Sequence, residues 1–134
     1  MRVLARRIEG FAHEIDLDAG HELIVDEPRE RGGADTGPRP TQLLAGSLAG
    51  CTAITIEMYA DRKEWDLGQV EVHADFTKAT TDTPAKFKVE IKTPARLTDE
   101  QRERILTIAH KCPVHKALMA DDVEVDDSLE LIEA

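Results

Sequence analysis

The chain has 134 residues, of which 41% are hydrophobic and 33% charged, and its formal net charge is −10 with a pI near 4.9. This length and balance predict one soluble globular domain over residues 1–134, with a core of its own. The acidic charge argues against a nucleic-acid partner and against binding to an anionic membrane surface, because both require a basic face on the protein.

The first ten residues, MRVLARRIEG, lack the long apolar core of a signal peptide. The chain also has no run of about 18 uninterrupted apolar residues, so no membrane span is predicted. We therefore expect a cytoplasmic protein, in a compartment where thiols are normally kept reduced. In such a place its two cysteines, Cys51 and Cys112, are either inert core residues or redox-active ones.

The first half of the chain predicts strands, a loop and a long helix. Residues 1–26 contain FAHEIDL, which alternates apolar and polar residues, and HELIV, which follows a turn at Ala19-Gly20. Residues 26–40 are rich in glycine, proline and charge, which predicts a long loop of the kind that is often functional. Residues 41–64 predict a helix with apolar residues on almost every side, as in a fully enclosed helix.

The second half predicts two strands, a helix and a final strand. Residues 69–78 and 86–92 alternate in polarity, as half-buried strands do. Thr98, with Gln101 three residues later, forms the capping box of a helix that Pro113 interrupts before a short helical continuation. The segment VEVDDSLELI then predicts a last strand. This order of elements predicts an α+β fold.

Cys51 and Cys112 both lie on apolar helix faces, so their thiols could meet in the core. They stand 61 positions apart, which excludes a CxxC motif. A structural zinc site is not predicted, since it requires about four ligands at paired spacings. Both cysteines could be core fillers, because free cysteine is among the most buried residue types. A Cys112 nucleophile with His110 or His115 would lack a third, orienting residue.

Small residues surround Cys51, with Gly46 and Gly50 four positions apart. A glycine inside a helix costs about 1 kcal/mol relative to alanine, so two of them indicate close approach by another backbone. That backbone belongs either to the same chain or to a second subunit.

The segments GGADTGPRPTQLLAGSLAGCTAITIEMYADRKEW and CPVHKAL resemble the OsmC/Ohr family of thiol-dependent peroxidases. The resemblance covers nearly the whole chain. It implies an OsmC-like fold in which antiparallel sheets surround a long buried helix. It also implies an intertwined homodimer with active sites at the subunit interface.

For the chemistry, the resemblance implies reduction of organic hydroperoxides without a metal, haem or flavin cofactor. Cys51 would be the peroxidatic thiolate and would become a sulfenic acid. Cys112 would resolve that acid as an intramolecular disulfide, which a dithiol would then reduce. Lipoyl proteins supply this dithiol in the Ohr branch, which makes a lipoyl protein one candidate partner.

The family also uses an arginine that favours the thiolate form of its cysteine. By spacing this position matches Arg31, while Arg29 and Arg39 in the same loop remain candidates. The family glutamate that holds the arginine is replaced by Thr41. This departure favours an alternative function, a non-enzymatic OsmC-like dimer that binds a small apolar ligand or senses oxidants.

Overall fold

In the computed structural model, which describes residues 1–133, five strands and three α-helices follow one another as an α+β fold. A short 3₁₀ turn, Arg29–Arg31, interrupts the loop before the long helix. The elements are β1 (Leu4–Glu9), β2 (Ala12–Asp16), β3 (Glu22–Val25), α1 (Pro40–Arg62), β4 (Glu71–Thr77), β5 (Lys86–Lys92), α2 (Asp99–Ala109) and α3 (Pro113–Met119).

The first three strands form one antiparallel sheet in the order β1-β2-β3. The turn between β2 and β3 uses three consecutive left-handed residues, Asp18, Ala19 and Gly20, with φ values of 72°, 51° and 80°. Asp16 stabilises this turn, because its Oδ1 accepts a hydrogen bond of 3.0 Å from the amide of Asp18. The turn predicted at Ala19-Gly20 is confirmed.

The strands β4 and β5 form a second antiparallel sheet, which packs against α1. Their inward residues alternate with exposed ones as the sequence predicts, and Phe76 stacks on Phe87 with ring centroids 4.8 Å apart. The core lies between α1 and α2. It is formed by Ile56, Tyr59, Ala60, Leu67, Ile105, Ile108 and Ala109.

The ends of α2 and α3 follow from local sequence. Thr98 Oγ1 accepts a hydrogen bond from Gln101 N at 3.1 Å, and Gln101 Oε1 accepts one from Thr98 N at 2.9 Å. This confirms the predicted capping box. Pro113 occupies the first turn of α3, where its missing N–H costs nothing, and Cys112 caps that helix.

The helix α1 is enclosed on one side only within a single chain. Leu44, Ile54 and Met58 remain 39%, 58% and 61% exposed. A Cβ built on Gly46 or Gly50 would meet nothing within 4 Å. The prediction of a helix enclosed on every side is therefore wrong for the chain by itself, because no helix or strand within residues 1–133 covers the glycine side of α1.

The same helix is long and apolar enough, by length and composition alone, to cross a membrane. It has 23 residues, and an 18-residue window of it has a mean hydropathy of 1.3. The prediction that the chain has no such segment used a stricter criterion, an uninterrupted apolar run. The helix α1 fails that criterion but passes the one based on mean hydropathy. The central helix of a folded domain passes the same test, and α1 packs against β4, α2 and α3.

The last predicted strand, residues 123–132, does not form in the single chain. Residues 120–133 contain neither helix nor strand. Their apolar side chains are exposed, from 58% at Val123 to 89% at Leu129 and Leu131. A strand requires a hydrogen-bonded neighbour, and no strand described in this chain pairs with the segment.

Candidate functional site

The two cysteines form a disulfide that joins the middle of α1 to the start of α3. Cys51 Sγ is bonded to Cys112 Sγ, and their Cα atoms lie 5.8 Å apart, within the usual range for a disulfide. Cys112 is fully buried, with 0% exposure, whereas Cys51 is only partly buried. The site is therefore a redox-capable sulfur pair with one accessible member.

Two histidines lie close to Cys112 in the chain, and one of them contacts its sulfur through the backbone. The backbone N–H of His115 donates a hydrogen bond of 3.4 Å to Cys112 Sγ. The rings of His110 and His115 stack with centroids 4.9 Å apart and planes 21° apart. The sequence predicted neither contact, although the positions of these residues, two before and three after Cys112, are the pattern that could have indicated it.

A buried carboxylate organises the loop before α1. Asp26 is 2% exposed and accepts hydrogen bonds from the amides of Glu27, Ala34 and Thr36 at 2.7, 3.3 and 3.1 Å. It also accepts one of 2.7 Å from the Thr36 hydroxyl. These hydrogen bonds, Thr36 first, lower the pKa of Asp26 from 3.8 to about 2. Sequence reasoning missed this residue, which closes the loop at the end of β3.

The shifted pKa of Asp26 predicts an acid-sensitive loop. Since the folded pKa lies below the unfolded one, its stabilising contribution is complete above pH 3.8 and is lost as the pH falls towards 2. We expect Asp26→Asn to lower the Tm at pH 7 and to flatten the fall of Tm between pH 4 and pH 2. Calorimetric scans across that range check it, with exposed Asp35→Asn as the control. Equal acid slopes in the two variants would contradict the assignment.

The three candidate arginines lie in different surroundings. Arg39 Nε pairs with Glu27 Oε2 at 3.2 Å, and the Arg39 amide donates to Gln42 Oε1 at 2.8 Å. Arg29 and Arg31 lie in the exposed 3₁₀ turn, and among the described residues their side chains make no ion pair. The arginine that a carboxylate holds is therefore Arg39, and its partner is Glu27 from the other end of the loop.

Within one chain this ion pair lies far from the sulfur pair. Cys51 lies twelve positions after Arg39, the N-cap of α1, which corresponds to about 18 Å along the helix axis at 1.5 Å per residue. No hydrogen bond or ion pair among residues 1–133 brings Arg31 to either sulfur. In the single chain, Cys51 and Cys112 are therefore in contact with each other, and neither Arg31 nor Arg39 contacts them.

Thr41 lines a cleft of about 380 Å³ between the start of α1 and β4. Arg39 and Gln42 border the cleft on the helix side, and Phe76 and Lys78 border it on the strand side. A threonine at this position supplies no carboxylate, and the acidic side chain that lines the cleft is Asp75. The cations Arg39 and Lys78 line the same cleft.

The fold and the sulfur pair together define a two-cysteine α+β protein whose site joins a long central helix to a C-terminal helix. The sequence profile of the OsmC-like proteins matches residues 32–126, which include both cysteines. The chain belongs to the OsmC-like protein family.

Solved structures agree with this fold. An organic hydroperoxide resistance protein OsmC from Legionella pneumophila is 24% identical with a TM-score of 0.65, covering 90% of this chain and 91% of that one. The organic hydroperoxide resistance protein OhrB of Bacillus subtilis is 26% identical with a TM-score of 0.60, covering 90% of each chain.

A Psychrobacter arcticus protein assigned to osmotic stress induction and the detoxification response is 24% identical. Its TM-score is 0.76, with coverage of 90% of this chain and 88% of that one. No curated protein matches the chain significantly.

Proposed function

We propose that this protein reduces organic hydroperoxides, with Cys51 as the peroxidatic cysteine and Cys112 as the resolving cysteine. Family membership and the hydroperoxide-resistance neighbours support a general role in peroxide stress. The observation that carries the finer proposal is the Cys51–Cys112 disulfide, which connects the only two thiols of the chain. The proposed setting is the cytoplasm, where reductants can return both cysteines to thiols.

The proposed reaction has three balanced steps. The Cys51 thiolate attacks the terminal oxygen of the hydroperoxide, the O–O bond breaks, and Cys51 becomes a sulfenic acid while the alkoxide leaves and takes a proton from water to become the alcohol. The Cys112 thiol attacks that sulfur, forming the disulfide and releasing water. A dithiol then reduces the disulfide and is itself oxidised. A lipoyl protein is one candidate for this reductant.

The unequal exposure of the two cysteines supports these roles. A hydroperoxide must reach the nucleophilic sulfur, and within one chain Cys51 retains exposure whereas Cys112 has none. The apolar side chains around Cys51 on α1 favour alkyl or lipid peroxides as substrates, because they offer little to a small polar peroxide. Steady-state consumption of cumene hydroperoxide with dithiothreitol as reductant tests the activity. Consumption no faster than that of a heat-inactivated sample would contradict it.

The thiolate of Cys51 requires a cation, and we expect Arg31 to supply it. A guanidinium near the sulfur favours the thiolate, and each unit of pKa corresponds to tenfold in thiolate population, or about 1.4 kcal/mol. In a Cys112→Ser background, Arg31→Met should therefore slow iodoacetamide alkylation of Cys51 at pH 7 by about tenfold. Arg29→Met and Arg39→Met are the matched variants. A slow rate in one of them alone would transfer the role to that residue.

We also propose that the working unit is a homodimer formed through α1. The exposed face of Leu44, Ile54 and Met58 is larger than isolated surface residues require, and it runs beside the open Gly46 and Gly50. Two such helices from two copies could approach closely at the glycines. The interface would also place groups of one copy near the Cys51 of the other, where the single chain brings no arginine.

A second copy would also cover the N-terminal sheet and the C-terminal segment. The strand β1 has a free edge and an exposed surface with Arg6 and Arg7, and Arg2 precedes it. Residues 120–133 carry seven acidic residues and no basic one: Asp121, Asp122, Glu124, Asp126, Asp127, Glu130 and Glu133. An extended acidic segment of one copy suits the basic edge strand of another, through main-chain pairing and opposite charge.

The alternative function, a dimer that binds a small apolar ligand, has two features in its favour. An open cleft of about 650 Å³ lies on the N-terminal sheet, and most of its surface is apolar. Ile8, Leu23, Ile24 and Pro38 line it. The replacement of the family glutamate by Thr41 also favours this alternative function. An apolar fluorophore bound with equal affinity by wild type and by Ile24→Asp would remove this alternative.

A further inference from the structure

An open cleft of about 740 Å³ lies between the C-terminal end of α1 and the helix α2. Its volume is in the range of small-molecule sites in proteins. Tyr59, which lines the cleft, comes eight positions after Cys51 on α1, or about 12 Å along the helix axis at 1.5 Å per residue. The apolar face of Leu44, Ile54 and Met58 contributes no residue to it. The cleft is therefore separate from the sulfur pair and from the proposed dimer interface.

Two cations lie close to one aromatic ring in this cleft. Arg104 Cζ is 5.4 Å and Lys63 Nζ is 5.8 Å from the centroid of the Tyr59 ring, within the range of cation–π contacts. Arg104 Nε also donates a hydrogen bond of 2.9 Å to the Tyr59 hydroxyl. The guanidinium is thus held through Nε, and its Nη groups remain as donors of the kind that bind a carboxylate.

This cluster has more hydrogen-bond donors than acceptors. A tyrosine hydroxyl that accepts from an arginine still has its own proton to donate. Within residues 1–133, the Tyr59 hydroxyl makes no hydrogen bond besides the one from Arg104, and neither Arg104 nor Lys63 takes part in an ion pair. Tyr59 is only 8% exposed, and a donor without an acceptor is unusual in a side chain this deeply buried. The cluster therefore lacks an acceptor that a bound anion would supply.

The remaining lining restricts the kind of anion. The half-buried Trp65 ring stands edge-on to Tyr59, with centroids 5.6 Å apart and planes 76° apart, and gives the cleft an apolar wall. Glu100 and Glu103 also line the cleft, and neither lies within ion-pair distance of the two cations. Because two carboxylates balance two cations, the cleft does not favour a multiply charged anion. A single negative charge on a flat apolar body suits both the donors and the wall.

We infer that this cleft binds a small aromatic monocarboxylate. The carboxylate of the ligand accepts hydrogen bonds from the Arg104 Nη groups and the Tyr59 hydroxyl, with Lys63 as a further cation. The ring of the ligand packs against Trp65. The site involves neither cysteine, so binding is expected whether or not the protein reduces hydroperoxides.

The fluorescence of Trp65 tests the binding, since this residue is the only tryptophan of the chain. The protein is titrated with sodium benzoate at constant ionic strength, and we expect a saturable change in tryptophan emission. Benzyl alcohol has the same ring without the charge, and it should bind at least about tenfold more weakly because it loses the charge-assisted hydrogen bonds. A response to benzoate that is absent or does not saturate would overturn the inference. An equal affinity for benzyl alcohol would also overturn it.

Phthalate, a dianion with the same ring, tests the preference for a single charge. We expect it to bind more weakly than benzoate, because Glu100 and Glu103 repel the second carboxylate. Tighter binding of phthalate would contradict the assignment to a monocarboxylate.

Arg104→Met tests the location of the site, with Arg102→Met on the same helix as the matched control. Arg102 is exposed and does not line the cleft. We expect Arg104→Met to weaken benzoate binding by about tenfold or more and Arg102→Met to leave it unchanged. Tyr59→Phe keeps the ring and removes only the hydroxyl, so it should weaken the binding of benzoate but not that of benzyl alcohol. Equal benzoate affinities in Arg104→Met and Arg102→Met, both folded by circular dichroism, would exclude this cleft as the site.

Discussion

Cys51→Ser is expected to abolish hydroperoxide reduction, lowering turnover by at least about a thousandfold, because a hydroxyl at this position cannot replace the thiolate as a nucleophile. Cys112→Ser is expected to lose steady-state turnover in a different way. Its Cys51 should still react once with hydroperoxide and should remain as a sulfenic acid that dimedone labels. Consumption of cumene hydroperoxide and mass spectrometry of the dimedone adduct measure the two outcomes.

The two variants control for each other, since each removes one end of the same disulfide. If both lose the disulfide but only one retains a dimedone-reactive thiol, the loss of a cross-link does not explain the difference. Labelling of Cys112 in Cys51→Ser, with an unreactive Cys51 in Cys112→Ser, would reverse the assigned roles. The position of Cys112 as the cap of α3 makes that reversal a specific competing result.

Ile54→Asp is expected to dissociate the homodimer. Ile54 is 58% exposed in one chain and lies in the centre of the apolar face of α1. An aspartate there would bring an unpaired charge into each half of the interface, at a cost of about 3 kcal/mol or more. That corresponds to a loss of at least about a hundredfold in the association constant. Light scattering at micromolar concentration gives the mass directly.

Leu106→Asp is the matched control for that variant. Leu106 is 55% exposed on α2 and does not belong to the apolar face of α1, so its replacement should leave the mass unchanged. A monomer mass for the wild-type protein would remove the dimer proposal. A dimer that persists in Ile54→Asp would place the interface elsewhere, with the N-terminal sheet and the C-terminal segment as the remaining surfaces.

Much of the fold could be predicted from local sequence, because local chemistry determines it. The capping box at Thr98, the turn at Ala19-Gly20 and the alternation in β4 and β5 each depend on neighbouring residues. The strand predicted at residues 123–132 and the enclosure of α1 depend instead on what lies next to them. The apolar pattern of these two segments indicates surfaces that another element must cover. No described element of the single chain covers them.

The site could be predicted only in part. The spacing of Cys51 and Cys112 allowed either two buried fillers or a reactive pair, and the family resemblance implied the pairing. Asp26 could not be found from sequence because its partners, the amides of Glu27, Ala34 and Thr36, converge only when the loop folds. The Arg39–Glu27 pair was missed for the same reason, since twelve positions separate its members.

Counting thiols after one exposure to hydroperoxide tests the central claim most directly. The fully reduced protein is mixed with cumene hydroperoxide, and free thiols are titrated under denaturing conditions before peptide mapping. We expect the loss of both thiols per chain and a single new cross-link between Cys51 and Cys112. Unchanged thiols at a molar excess of hydroperoxide would contradict the account.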